Sequence, residues 1–438
     1  MSPEADAGSA YAFLRSRSRF GFRPGLERMA HLLDRLDHPE RGLRYVHVAG
    51  TNGKGSTCAF LSALWGGTEG KWRIGRYTSP DLGKIEDRIV LNETPVATAD
   101  LAAALARVQA ATEGIPDDSE LAPTEFEVLT AAAFLYFAEQ KTDLVILESG
   151  LGGRYDATNV VTPEVAVITS VGLDHQQVLG DTVAKIAYDK AGIVKPGVPV
   201  VTAATGVARR VVEDVATRQG SRLYALGRDF RSVRESAPGW DGQRISYFGL
   251  RQDAHGLQLA LPGDFQTDNA AVALAACEIT AQQLGVKPDL RALVGARWPG
   301  RMEVFTVDGV RVTLDGAHNA PAARALANAL DALGARRWYL VFGVLADKDI
   351  PALFARLLPF AAHVWLARPA TPRAASVDTL AAMLAAAPGT APGVVRADAV
   401  REAVKWALAA AKLDPACDGV LVTGSLYTVA EARTYLTN

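Results

Sequence analysis

Residues 45–57 read YVHVAGTNGKGST, and their types and spacing suit the binding of phosphate. Val46 and Val48 alternate with His47 as in a short strand, and a turn follows with Gly50, Gly53 and Gly55 around Lys54. Ser56 and Thr57 then open a run of helical character, CAFLSALW. Glycines let backbone N–H groups close on an anion, a helix N-terminus carries positive potential, and Lys54 adds a full charge. Strand, glycine turn and helix in this order predict a nucleotide cradle over Asn52, Gly53, Lys54, Gly55, Ser56 and Thr57, against the plainer reading of a glycine-rich turn with a solvated lysine. The usual nucleoside-triphosphate signature sets Ser or Thr directly after the lysine, whereas here Gly55 intervenes.

Further polar residues stand where strands end. RIGRYTS reads as a strand closing in two hydroxyls before Pro80, so Ser79 is either a ligand for a nucleotide-bound Mg2+ or part of a Ser-Pro turn. Glu148 follows the apolar run LVIL, which marks a parallel strand covered on both faces, and a carboxylate there is placed to hold Mg2+ or position water. The run VAVITSVGLDH ends in Asp174 and His175, and ligands in open parallel sheets gather at the carboxyl ends of strands, so His175 is expected at a metal or phosphate. Lys190 lies among Ala187, Ala191, Ile193 and Val194, a setting in which a lysine must shift its pKa, pair with an acid such as Asp189, or be modified. Arg88, beside Glu86 and Asp87, could clamp a phosphate or pair with its neighbours.

These residues need a scaffold, and the chain has the length for one. It has 438 residues, 49% of them hydrophobic, which favours two or three domains. A net charge of −2 without a long basic block argues against a nucleic-acid partner. Cys58, Cys277 and Cys417 show no metal-ligand spacing, and a sparse, odd set suits a reducing cytoplasm. The first twenty residues lack a signal-peptide core, and no apolar run reaches the ~18 residues that span a bilayer.

Thr124 caps a strong helix with Glu127 three residues on, and Phe126 at its start reads as core on pattern alone. From 198 to 261, short alternating runs (RLYALG, RISYFGL, GLQLAL) predict a small antiparallel appendage, and polar Gln266, Asp268 and Asn269 then open another helix. Near Pro299-Gly300 the pattern restarts, and strands alternate with helices to the end. The expected fold is therefore α/β: an N-terminal P-loop domain (1–298) with a mostly parallel sheet and the appendage, and a C-terminal doubly wound, Rossmann-like domain (299–438). In the second domain Asp315, His318 and Asn319, then Asp347-Lys348-Asp349, then Thr423-Gly424-Ser425, all follow strands and suggest a substrate-facing rim.

Taken in order, HVAGTNGKGST, YTSPDL, ESGLGGRYDATN, GLDHQQVLGDT, DKAGIVKPG, PGR, LDGAHN, DKD and VTGSLYTVAE resemble the folylpolyglutamate synthases, often joined in bacteria with dihydrofolate synthase activity, of the Mur ligase superfamily. The resemblance spans nearly the whole chain, and in this family Gly55 is normal. It implies an ATP-dependent amide ligase: ATP phosphorylates a carboxylate of a folate or of dihydropteroate, and the amine of L-glutamate displaces phosphate. It implies ATP contacts at residues 52–57, Asn269, Arg301 and Asp315, and Mg2+ at Ser79, Glu148 and His175. Lys190 resembles the family's carbamylated lysine. Asp315, His318 and Ser425 would border the acyl phosphate and the glutamate. Thr124, Glu125, Phe126 and Glu127, with Tyr155, Asp156 and Ala157, match pterin-binding segments. The expected state is a cytoplasmic monomer. Asp81, Ser149, Asp189 and Ala320 stand where the family usually has His, Val, Glu and Pro, and Asp81 changes the charge beside the proposed Mg2+ ligand.

Overall fold

The computed structural model describes residues 3–68, 72–387 and 393–437. The N-terminal part is built on an eight-stranded sheet of β1 (Tyr45–Ala49), β2 (Ile74–Tyr77), β3 (Ile89–Leu91), β4 (Thr94–Pro95), β5 (Leu144–Glu148), β6 (Val165–Ile168), β7 (Val200–Thr202) and β8 (Leu223–Ala225), in the order β4-β3-β2-β5-β1-β6-β7-β8. From β2 through β8 the pairings are parallel, and β3 and β4 extend that edge antiparallel. The sheet is covered on both faces, which explains the unbroken apolar run of β5. Leu144 and Ile146 pack with Phe60, Leu61 and Leu64 of the helix Lys54–Gly66 and with the helix Phe265–Leu284. Val145 and Leu147 pack on the opposite face with Leu105 of the helix Thr98–Ala111 and Phe134 of the helix Glu125–Glu139.

That alternation aims the functional side chains. Successive residues of a strand point to opposite faces, so Glu148 continues the face of Leu144 and Ile146, where the helix Lys54–Gly66 begins. His47 falls on the other face from Val46 and Val48, and its Nε2 lies 2.9 Å from Thr158 Oγ1.

The antiparallel appendage is smaller than its sequence pattern suggests. RLYALG forms β8, a parallel edge strand of the main sheet, and the amphipathic helix Gly206–Arg218 connects it to β7. Leu223 and Tyr224 of β8 are only partly buried, so an edge strand reads like a half-exposed hairpin. Only β9 (Arg231–Arg234), β10 (Gln243–Phe248) and β11 (Asp253–Leu259) form the separate three-stranded antiparallel sheet.

The C-terminal part holds a six-stranded sheet of β12 (Glu303–Val307), β13 (Val310–Leu314), β14 (Trp338–Phe342), β15 (Ala361–Ala367), β16 (Gly393–Ala397) and β17 (Gly419–Thr423), in the order β12-β13-β17-β14-β15-β16. Only the β12–β13 pairing is antiparallel. Alternate residues of β14 feed two cores, Trp338, Leu340 and Phe342 into one, Tyr339 and Val341 into the other. No helix among the described residues is long and apolar enough to cross a membrane. Phe134 is fully buried between its helix and the sheet. Phe134→Ala is expected to cost about 3–5 kcal/mol, seen as a lower urea midpoint of the N-terminal transition with little change in its slope.

Candidate active site

The glycine turn after β1 is shaped by what packs on it. Gly53 sits at φ +89°, a left-handed conformation, as the N-cap of the helix Lys54–Gly66, and a Cβ there would run into the Asn269 side chain. A Cβ on Gly55 would run into the Trp298 ring, over which the Arg76 guanidinium lies at 5.4 Å. Gly55 therefore leaves room for the Trp298 ring, at the end of the N-terminal part, to pack on the loop. Gln266 Nε2 donates to Ser56 Oγ at 3.2 Å, and Asn269 Nδ2 donates to Gln266 Oε1 at 3.0 Å. The polar start of the helix Phe265–Leu284 is thereby fastened to the turn.

Lys54 Nζ lies 3.8 Å from Glu148 Oε1, and the Ser79 backbone N–H donates to Glu148 Oε2 at 3.2 Å. Burial pushes the Glu148 carboxyl up, and Lys54 and the Ser79 N–H partly offset this. Lys190 is 4% exposed and makes no ion pair among the described residues, Asp189 included. Its burial, with Lys54 nearby, pushes its ammonium down to about 7. Burial thus favours the uncharged, nucleophilic form of this amine.

Asp174, after β6, is the point at which the two parts of the chain meet. Its Oδ1 accepts from Lys348 Nζ at 3.0 Å and its Oδ2 from Asn319 Nδ2 at 2.9 Å, with His318 Nε2 at 3.6 Å from Oδ2. His175 Nε2 is 3.9 Å from Oδ1. Burial alone would raise the Asp174 carboxyl, but its bond with His318 and the charges of His175, His318 and Lys348 outweigh this and hold it far below the usual range. Asn319 and Asn52 also exchange amide hydrogen bonds of 3.2 and 3.3 Å, tying the glycine turn to the N-cap of the helix Ala320–Ala332.

The remaining rim residues take several roles. The Asp315 carboxylate accepts from the backbone N–H groups of Met302 and Ala317, each at 3.0 Å, and so braces the turn that carries Arg301. Burial raises its pKa against the pull of Arg301. Arg301 itself reaches over Gly316, where a Cβ would meet its guanidinium. Ser425 caps the last helix by accepting from Thr428 N at 3.1 Å. Arg88 pairs with Asp81 (Nε to Oδ2, 2.8 Å) and not with its neighbours in sequence. This pairing accounts for the charge of Asp81: it is spent on Arg88 and on the Gly83 N–H.

A cavity of about 490 Å3 runs along this junction. Its N-terminal wall carries Ser79, Arg88, Thr124, Glu125, Phe126, Glu127, Tyr155, Asp156, Ala157 and His175, and its C-terminal wall carries His318, Lys348, Arg373 and Ser425. Phe126 is half-buried against Gly150, whereas the Glu127 carboxylate is occupied internally, capping Thr124 N at 2.8 Å and accepting from Arg28 Nε at 3.0 Å. A smaller adjoining cavity of about 200 Å3 is lined by Gly55, Ser79, Glu148, Trp298 and Arg301. Ser79 borders both.

The Mur ligase middle domain matches residues 48–277, and the Mur ligase glutamate ligase domain matches residues 300–426. The chain is 38% identical over 379 residues to the Bacillus subtilis protein named dihydrofolate synthase/folylpolyglutamate synthase, covering 85% of this chain and 87% of that one. The chain belongs to the folylpolyglutamate synthase/dihydrofolate synthase family. It is 40% identical over 427 residues to a Halobacterium salinarum protein named "Probable bifunctional folylpolyglutamate synthase/dihydropteroate synthase", covering 96% of this chain and about half (51%) of that relative. The crystal structure of Mycobacterium tuberculosis folylpolyglutamate synthase complexed with ADP and AMPPCP superposes with a TM-score of 0.90 at 31% identity, over 100% of this chain and 99% of that one. This member of the family is an ATP-dependent ligase.

Among the described residues, no three His, Cys, Asp or Glu side chains stand together as a metal cage. Mg2+ keeps several waters and binds through one or two carboxylates plus substrate phosphates. Glu148, a buried carboxylate held beside Lys54 and Ser79, is such a donor. Sequence reasoning noted Asp174 and Gln266 but gave them no role in the site, and it missed Trp298 and Arg28. Each acts through a partner far along the chain, and only Gly55, out of place for an ordinary phosphate loop, hinted at Trp298. Gly53→Ala, with strain of about 1–3 kcal/mol and a clash with Asn269, is expected to weaken ADP binding by about tenfold or more. Calorimetry measures this loss, and the circular dichroism spectrum should match wild type.

Proposed function

We propose that this enzyme joins L-glutamate to the carboxylate of folates, and to dihydropteroate as well, through an acyl phosphate. The observation that carries the reading is the cavity with Ser79, Thr124–Glu127 and His175 on one wall and His318, Lys348 and Ser425 on the other, adjoined at Ser79 by the smaller cavity that reaches Gly55 and Glu148. A carboxylate is a poor electrophile. Transfer of the γ-phosphoryl group of ATP to it forms an acyl–O–P bond and releases ADP. The glutamate amine then attacks the acyl carbon, the C–O bond to phosphate breaks, and an amide, inorganic phosphate and a proton leave.

The protein's part is charge placement and orientation. Residues 52–57 hold the phosphates, with Lys54 balancing their charge, and Asn269, Arg301 and the turn braced by Asp315 hold the nucleoside side. Mg2+, when bound by Ser79, Glu148, His175 and modified Lys190, supplies further charge neutralisation at the phosphates. The modification we propose is carbamylation: neutral Lys190 Nζ bonds to the carbon of CO2 and loses a proton, turning a buried amine into a carboxylate-like group. Thr124–Phe126 and Tyr155–Ala157 take the pterin, with Glu127 holding the Thr124 backbone in place, and His318 and Ser425 border the glutamate. We further propose a division into domains at 298/299 and a monomer that works in the cytoplasm.

Two experiments test this. Protein, ATP and Mg2+ are incubated with dihydropteroate or with a reduced folate, with and without L-glutamate. Phosphate release that needs glutamate, with an amide product by mass in both arms, is expected. Glutamate-independent hydrolysis without amide would make the chain an ATPase instead. For the modified lysine, Lys190→Ala is expected to lose activity by about 100-fold or more, and added bicarbonate to raise wild-type activity. A fully active alanine variant rejects that role.

A further inference from the structure

We propose that Asp174 is a positioning residue for the amine-acceptor half of the reaction: it holds Lys348 at the angle at which its ammonium receives a carboxylate of the incoming glutamate. The inference rests on the ligase reading above and assigns a role to a residue that this reading leaves out.

The geometry is specific. Asp174 Oδ1 holds Lys348 Nζ at 3.0 Å, and both side chains are only 9% exposed. Oδ2 holds Asn319 Nδ2 at 2.9 Å and faces His318 Nε2 at 3.6 Å. The His318 ring is fixed from behind, since its Nδ1 lies 2.8 Å from the Gly316 carbonyl, which can only accept. Three side chains of the C-terminal part thus take their orientation from one carboxylate of the N-terminal part.

Lys348 is the member free to do more. An ammonium has three donors, one of them goes to Asp174, and Lys348 lines the same cavity as His318 and Ser425. Glutamate brings two carboxylates, and a nearly buried ammonium at the cavity wall is the chemistry that recognises one. Asp174 is itself nearly enclosed and meets the substrate through Lys348 rather than directly. Asp174 also supplies the counter-charge that the nearly buried Lys348 ammonium needs in the closed cleft.

The test is a double-mutant cycle in the full-length enzyme, with separate KM values for glutamate and ATP. Asp174→Asn keeps the shape and one acceptor oxygen but loses the charge, and Lys348→Met removes the ammonium. Each is expected to raise the KM for glutamate about tenfold or more while the KM for ATP changes by less than about threefold, and the double variant to be no worse than either single one. Asp174→Glu should recover part of the loss. Retained ADP binding and a cooperative thermal transition above the assay temperature certify that each variant is folded; if Asp174→Asn fails this check, Lys348→Met with Asp174→Glu decides. An unchanged KM for glutamate, equal losses for ATP and glutamate, or independent, additive effects of the two substitutions would each overturn the proposal. A wild-type enzyme without glutamate-dependent amide formation would instead remove the ligase reading itself, which the control arm detects.

Discussion

Lys54, His175, His318 and Lys348 come to one junction from the ends of four different strands, and any closed arrangement must offset the nearly buried ammonium of Lys348. Asp174 does so from within, reaching both His318 and Lys348 while staying nearly enclosed. Such an ion pair adds little net stability, because desolvating both charges consumes most of the Coulomb gain. Removing one partner is another matter and costs about 3–5 kcal/mol. The contact therefore works as a register pin. It distinguishes one docking of the two sheets from others that would bury as much apolar surface but leave a carboxylate or an ammonium unpaired.

What that pin brings together is determined by strand parity. In the main sheet Glu148 is the last residue of a strand buried on both faces, so its direction follows from the alternation of that strand. Glu148 continues the face of Leu144 and Ile146 and meets Lys54 at the helix that covers that face. In the second sheet Asp315, directly after Leu314, turns to the backbone of the Arg301–Met302 turn and holds Arg301 toward Gly316. No separate scaffold is needed for the site, because the packing that stabilises each sheet also aims its rim.

This division explains what was legible in the sequence. The phosphate loop, the strand ends at Glu148, His175 and Asp315 and the Thr124–Glu127 cap were visible because their signals are local: a glycine pattern, an apolar run with a polar terminus, a capping box four residues long. The contacts that join them have no local signature. Lys348 is 174 residues from Asp174, Asn319 is 267 from Asn52 and Glu127 is 99 from Arg28. The error at β8 has the same origin. A short, partly exposed edge strand shows the same alternation in a parallel sheet as in a hairpin, and only its pairing with β7 distinguishes them.

Asp81 shows how a departure from a family pattern can be absorbed without changing the site's charge. Read along the chain, it sets a carboxylate two residues from Ser79, where it would compete with phosphate for any cation. In the folded protein that carboxylate belongs to Arg88, at 2.8 Å, with both side chains mostly withdrawn from solvent. Arg88 in turn lies on the wall of the larger cavity, near Glu125, whose own carboxyl is pushed up by burial against the pull of Arg88. The added acid and the arginine cancel locally, the field at Glu148 remains set by Lys54 and the Ser79 N–H, and the guanidinium is held at the cavity wall in a fixed orientation. A histidine at position 81 could not form that charge pair with Arg88, so Asp81 and Arg88 are best understood as one unit of this enzyme's pocket.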